Sequence, residues 1–186
     1  HGNQLIPWDS VSKDAIVIIP AFGTSVAVKS ILEEKGVEYK SYDTTCPFVT
    51  RVWKRAEQLG KQDYNLIIHG KYQHEETQAT FSYANQNAQS LVVKNMEEAQ
   101  KIVDFLEDNM SISSFLEFFK GKFSAGFDPK THFNRIGVIN QTTMLATETS
   151  AITQLLVEAY KRKYGDLYKN HIADTRDTLC YATNEN

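Results

Sequence analysis

Cys46 stands in the stretch Asp43-Thr44-Thr45-Cys46-Pro47-Phe48-Val49-Thr50, between an expected strand (Val37 to Tyr42) and an expected helix (Val49 to Leu59). A helix start offers unpaired backbone N–H groups and a positive dipole end, which favour a thiolate, the form that binds soft metals or attacks electrophiles. Pro47 suits the first helical position, because the N–H it lacks would have no partner there. The plainer reading of Cys46 is a small buried hydrophobe.

Three further stretches carry reactive side chains directly after expected strands: Phe22-Gly23, His69 to Thr80, and Gln141-Thr142-Thr143. In an open parallel sheet the strand carboxyl ends share one edge and ligands bind in the crevice there, so these stretches are expected to converge. Cys180 joins them if the segment from His171 is a strand. The set offers two thiols, His74 as a cation-capable group, Glu76 as a proton donor, and the hydroxyls or amides of Thr44, Thr45, Gln141, Thr142 and Thr143. That mix suits an anionic substrate beside a soft metal centre. Zinc competes for the same donors, although the close Cys-x-x-Cys or His-x-x-x-His pairs of structural zinc sites are absent. Duller roles exist for several of these residues: a glutamate is favoured near any helix start, and Thr142 or Thr143 can simply cap the next helix. His69, His132 and His171 receive no functional assignment.

The elements that must position these residues alternate. Asp14 to Pro20 is a continuous apolar run, as in a strand covered on both faces, and Thr24 or Ser25 caps a helix that Gly36 closes. The second unit passes from Val37 to Tyr42 through the Cys46 turn to a helix with Val49, Val52, Trp53 and Ala56 on one face. Tyr64 to His69 and Ser90 to Val93 are further strands, and Met96 to Leu106 is an amphipathic helix. The rhythm breaks at 109–133, where one Phe-rich helix and the turn Gly126-Phe127-Asp128-Pro129 form an insertion or boundary. Arg135 to Asn140 opens another strand, followed by a long helix buried along Ile152, Leu155, Leu156, Ala159 and Tyr160 and ended by Gly165. The fold class is α/β: a parallel three-layer module over 1–108 with Cys46, His74 and Glu76, and part of a second similar module over 134–186 with Thr142 and Cys180. Both ends of the chain read as cut from a longer protein.

Composition narrows the function. A net charge of −3 argues against a nucleic-acid binder, which needs clustered Lys and Arg. No apolar run approaches the roughly 20 residues that span a bilayer, and the N-terminus lacks the features of a signal peptide. The expected compartment is the cytoplasm or an equivalent matrix, with neither nucleic acid nor membrane as partner. Two well-separated cysteines do not make a secreted disulfide framework.

The motifs together resemble one family, the 4-hydroxy-3-methylbut-2-enyl diphosphate reductases. The resemblance rests on Asp43-Thr44-Thr45-Cys46-Pro47, His69 to Thr77, Asn140-Gln141-Thr142-Thr143-Met144-Leu145, and Asp177-Thr178-Leu179-Cys180-Tyr181-Ala182-Thr183, in the family's order. Ile19-Pro20-Ala21-Phe22-Gly23 and His74-Glu75-Glu76-Thr77 look like the plant and cyanobacterial branch, since a histidine replaces Phe22 elsewhere in the family.

This resemblance implies a cloverleaf of three α/β modules around a 4Fe–4S cluster, each module giving one cysteine. Cys46 and Cys180 match two ligands, and the third lies upstream of His1 in the family. It also implies Glu76 as proton source for loss of an allylic hydroxyl, His74 on the diphosphate, and Thr142, flanked by Gln141 and Thr143, near the substrate's hydroxyl. A family Ser-x-Asn stretch of the diphosphate pocket falls downstream of Asn186. Two electrons from a ferredoxin- or flavodoxin-type donor would give isopentenyl and dimethylallyl diphosphate, in the bacterial cytoplasm or the plastid stroma. The chemistry agrees with the residues present: there is no Gly-x-Gly-x-x-Gly fingerprint for a flavin or nicotinamide, and removing such a hydroxyl needs a Lewis acid, a proton and electrons. The competing expectations are a diphosphate-binding domain without a cluster, and a zinc hydrolase using Cys46, Cys180, His74 and Glu76.

Overall fold

In a computed structural model, which describes residues 5–173, the chain builds a three-layer sandwich on a short parallel sheet. Helix α1 (Val26–Lys35) starts under Ser25, whose side chain accepts the Val28 N–H, and stops at Gly36 in the left-handed conformation. Helix α2 (Pro47–Gly60) buries Val49, Val52, Trp53, Ala56 and Leu59, the helical spacing that the sequence carries. Strand β1 (Asn65–His69), helix α3 (Glu75–Ala84), strand β2 (Ser90–Val93) and helix α4 (Met96–Leu106) follow. After α5 (Ile112–Phe118) and the short α6 (Pro129–His132) come strand β3 (Ile136–Asn140) and helix α7 (Ala146–Tyr164).

The sheet order is β2-β1-β3, all parallel, with Ile67 opposite Leu91 on one side and Val138 on the other. Alternate residues serve opposite faces. Leu66, Ile68, Val92 and Ile139 pack with Val52, Ala56 and Leu59 of α2 and with Ala84 at the end of α3. Ile67, Leu91, Val93, Ile136 and Val138 pack with α4, α5 and α7. Strands covered on both faces need apolar residues at every position, so these runs are continuous rather than alternating.

Two expectations are corrected. The strand after 134 was assigned to a second module, but β3 pairs with β1 along its whole length, from Asn65 opposite Ile136 to His69 opposite Asn140. A lone apolar strand hides both faces by joining an existing sheet, and α7 then lies on the face already held by α4. The 109–133 stretch fills that same core, with Phe115, Phe119, Phe127 and Phe133 all buried in it. It also holds a second short helix, α6, which opens at Pro129 under the Asp128 side chain.

The second correction concerns Asp14 to Pro20 and Val37 to Tyr42, which were expected as strands. They meet only at the isolated parallel bridges Ile16–Glu38 and Ile19–Asp43. Two extra residues on the second segment, wound into a single 3-10 turn at Lys40–Tyr42, break the ladder between those bridges. Ile16 and Ile18 are 60% and 67% exposed, so the apolar run is not covered on both faces here. Ile19, Leu32, Val37 and Tyr39 form a small separate core beneath α1. At the other end, Ile172, in the segment from His171 read as a possible strand, makes an isolated parallel bridge to Ile136. Cys180 and the rest of that segment lie outside the described residues.

Candidate active site

The strand carboxyl ends define the site. Helix α3 follows β1 onto one face of the sheet and α7 follows β3 onto the other. Two neighbouring connections that part to opposite faces leave a crevice at the strand ends, where ligands bind in sheets of this kind.

Glu76 lies across that crevice. His74 caps α3, which puts Glu75 and Glu76 in the first turn, where the dipole favours carboxylates. The Glu76 side chain is buried, and its Oε1 accepts the Thr142 backbone N–H at 2.5 Å. An oxygen occupied in this way remains an acceptor, so a proton on this carboxyl belongs on Oε2. Gln141 reinforces the bridge. Its Oε1 accepts the Lys71 N–H at 3.1 Å and the Thr77 hydroxyl at 2.9 Å, while its Nε2 donates to Thr143 Oγ1. The close approach of the two loops requires a glycine at position 70: a Cβ there would lie 2.7 Å from Thr77 Oγ1 and 3.1 Å from Gln141 Cβ.

His74 Nδ1 accepts the Glu76 backbone N–H at 3.2 Å. The neutral ring therefore carries its hydrogen on Nε2, where it can donate to an anion. The Phe22 ring meets the His74 ring edge-on, with centroids 5.6 Å apart. This contact joins the Cys46 side of the chain to the cap of α3.

Cys46 is the cap residue of α2, with Pro47 at the first helical position as expected. Its backbone N–H donates to the Ala21 carbonyl at 2.9 Å, and Thr44 donates both N–H and hydroxyl to the Ile19 carbonyl. Asp43 fixes the turn from the other side. Its Oδ1 accepts the N–H and the hydroxyl of Thr45, and its Oδ2 pairs with Lys29 at 2.8 Å. Burial by itself raises the Asp43 pKa, but the bonds from Lys29 and Thr45 outweigh it and hold the carboxyl below its ordinary range. The Cys46 thiol makes no capping hydrogen bond, is partly exposed, and packs against Val49, Trp53 and Ala79. Ala79 is one turn along α3 from Glu76, so the helix that Cys46 caps packs against the helix that carries Glu76.

Several sequence readings change in detail. Thr142 and Thr143 do not cap α7; Leu145 occupies that position without a side-chain bond. Thr142 contributes its backbone N–H, and Thr143 is exposed. Asp43 and Thr77, to which the sequence motifs assign no role, both fix the geometry. Their signal is a short polar side chain at a turn or a helix start, where local bonding to nearby groups is common.

Cys46 suits one thiolate ligand, since the residue is partly exposed and its thiol makes no capping hydrogen bond. Among the described residues no group of three or more His, Cys, Asp or Glu side chains is placed to hold a metal ion, and Cys180 lies outside them. The described residues alone thus supply a complete ligand set neither for an iron–sulfur cluster nor for zinc. Among them, too, no helix is long and apolar enough to cross a membrane.

Comparison with known proteins agrees with this architecture. The 4-hydroxy-3-methylbut-2-enyl diphosphate reductase of Gloeothece citriformis is 44% identical over 175 residues, covering 94% of this chain and 42% of that protein. The enzyme of the same name from Synechocystis sp. is 43% identical over 178 residues, covering 96% of this chain and 46% of that one. The chain therefore spans less than half the length of these relatives. The solved structure of (E)-4-hydroxy-3-methyl-but-2-enyl diphosphate reductase, described as the terminal enzyme of the non-mevalonate pathway, shares the fold over 94% of this chain and 48% of its own. Its TM-score is 0.66 at 20% sequence identity. The family model described as LytB protein matches residues 2–186, and the chain belongs to that family.

Proposed function

We propose that this chain is the proton-handling and anion-binding portion of a 4-hydroxy-3-methylbut-2-enyl diphosphate reductase of the plant and cyanobacterial branch. The complete protein takes up two electrons and two protons, breaks the allylic C–O bond, releases water, and leaves isopentenyl or dimethylallyl diphosphate. The observation that carries the reading is the buried Glu76 carboxyl, held by the Thr142 N–H at the carboxyl edge of a parallel sheet, two residues from a histidine with Nε2–H available.

In this reading Glu76 delivers a proton from Oε2 to the leaving hydroxyl, which would otherwise depart as hydroxide. A positioned acid of this kind contributes about 10²- to 10⁴-fold in rate. Thr142 N–H keeps Oε1 in place throughout and steadies the carboxylate once the proton has gone. His74 Nε2–H binds a diphosphate oxygen, and Gln141, Thr142 and Thr143 line the hydroxyl end of the substrate. In the complete protein Cys46, Cys180 and a third cysteine outside this chain would hold a 4Fe–4S cluster, which would supply the electrons and the Lewis acid. A ferredoxin- or flavodoxin-type protein is the electron donor, the whole is a cloverleaf of three modules, and the compartment is the bacterial cytoplasm or the plastid stroma.

The test is anaerobic turnover of 4-hydroxy-3-methylbut-2-enyl diphosphate by the complete protein with a chemical reductant. Formation of the two diphosphate products, abolished in Cys46→Ala, is the expected result. Diphosphate binding with no turnover in a protein replete with iron and sulfide would instead make it a binding domain.

A further inference from the structure

The central strand ends on a fully buried histidine that the proposed reaction leaves unused. The His69 carbonyl accepts the Gln141 N–H at 2.8 Å, where the turn between β3 and α7 begins. Its ring reaches the far end of the same turn. Nδ1 is hydrogen-bonded to Thr149 Oγ1 at 2.8 Å, and that hydroxyl donates to the Leu145 carbonyl at 3.2 Å. Leu145 is the cap residue of α7 and has no side chain able to cap it. His69 therefore touches the 141–145 turn at one end through its carbonyl and ties the other end through Thr149 in the first turn of α7, whose own N–H also donates to the Leu145 carbonyl at 3.0 Å; between those ends Thr142 gives its N–H to Glu76.

The choice of histidine is informative. The ring projects onto the same face as the apolar side chains of Ile67 and Val138, where an aliphatic residue would lose no hydration. Burial lowers the pKa of His69 against the opposing pull of Glu148 and the Lys94 main chain, and Nε2 has no hydrogen-bond partner, standing 3.8 Å from Glu148 Oε2. The shortest polar contact that the imidazole adds over an aliphatic chain is the 2.8 Å bond from Nδ1 to Thr149.

We propose that His69 is a positioning residue: through Thr149 it clamps the 141–145 turn so that the Thr142 N–H meets the Glu76 carboxyl. The catalytic consequence rests on the proton-donor reading of Glu76, whereas the clamp itself does not.

Amide hydrogen exchange in the complete protein separates the two. Thr149→Val keeps the side-chain shape and removes the hydroxyl, and His69→Phe removes Nδ1. Both are expected to speed exchange over residues 141–149 about tenfold, the worth of one hydrogen bond, while the β2 amides stay as protected as before. His69→Asn, which keeps an N–H donor close to the place of Nδ1, restores the slow exchange. Turnover of the diphosphate substrate follows the same order, with the loss in kcat rather than KM. Unchanged exchange in Thr149→Val, or His69→Asn no slower than His69→Phe, overturns the clamp. Faster exchange with undiminished turnover upholds the clamp and overturns its catalytic consequence, leaving the role of Glu76 to its own substitution.

Discussion

Glu76 and Thr142 are separated by 66 positions, yet Glu76 Oε1 accepts the Thr142 N–H at 2.5 Å. The contact exists because β1 and β3 are neighbours in one sheet and their following loops meet at its carboxyl edge. It joins a side-chain carboxyl of the β1–α3 connection to a main-chain donor of the β3–α7 connection.

Gly23 adopts a φ of +77°, and a Cβ there would run into the buried Trp53 ring. That ring cannot easily yield, because it stacks on Tyr83 at 3.9 Å and its Nε1 donates to Thr80 at 3.1 Å. Gly23→Ala is expected to lower stability by about 2–4 kcal/mol, the sum of backbone strain and overpacking. Urea titration followed by tryptophan fluorescence measures it, and an unchanged midpoint would show that the turn before Cys46 is looser than described.

Asp43 has a depressed pKa in the fold, so its contribution is present above the ordinary value of 3.8 and is lost as pH falls through the lower folded value. Asp43→Asn keeps the shape but weakens the bonds from Lys29 and Thr45. The expected result is a loss of about 1–2 kcal/mol at neutral pH. The gap between variant and parent should narrow in strongly acidic solution. A gap that stays constant down to pH 2 would assign the effect to packing instead.

His69 gives a second pH signature of opposite charge type. Its folded pKa lies below the ordinary 6.5, so below that value the unfolded chain binds a proton that the folded one refuses. Stability contributed by the neutral ring is thus complete above pH 6.5 and declines as pH falls towards the folded value, then levels. The slope should be smaller in His69→Asn, which does not titrate. Identical slopes in thermal melts of the two proteins would mean that the ring is hydrated in the fold.

Helices and central strands were legible because burial demands a period. The 90–93 strand and the 96–106 helix have the limits that their apolar spacing indicates, and Ser25 and Gly36 bound α1 through local cap chemistry. Pairing was not legible. Ile136 to Asn140 is as apolar as any buried strand, and nothing in that run says that its partner is β1 rather than a strand of another unit. The run from Ala15 to Ile19 carries the same signal but makes only isolated bridges, because the break comes from the opposite segment at Lys40–Tyr42. The meeting of the His74, Glu76 and Gln141–Thr143 loops followed from the rule that parallel strands share a carboxyl edge. The finer arrangement did not, since a backbone N–H as the partner of Glu76 and a cap without a side-chain bond at Leu145 leave no mark on residue type.

The most direct test of the proposed chemistry is Glu76→Gln in the complete protein, loaded with its cluster and assayed anaerobically. Glutamine preserves the side-chain shape and an oxygen to accept the Thr142 N–H, and removes only the proton that Oε2 would deliver. The account predicts a fall in kcat of about a hundredfold or more with cluster absorbance and substrate affinity retained. Turnover within a few-fold of the parent would contradict it, because the leaving hydroxyl would then take its proton from some other group.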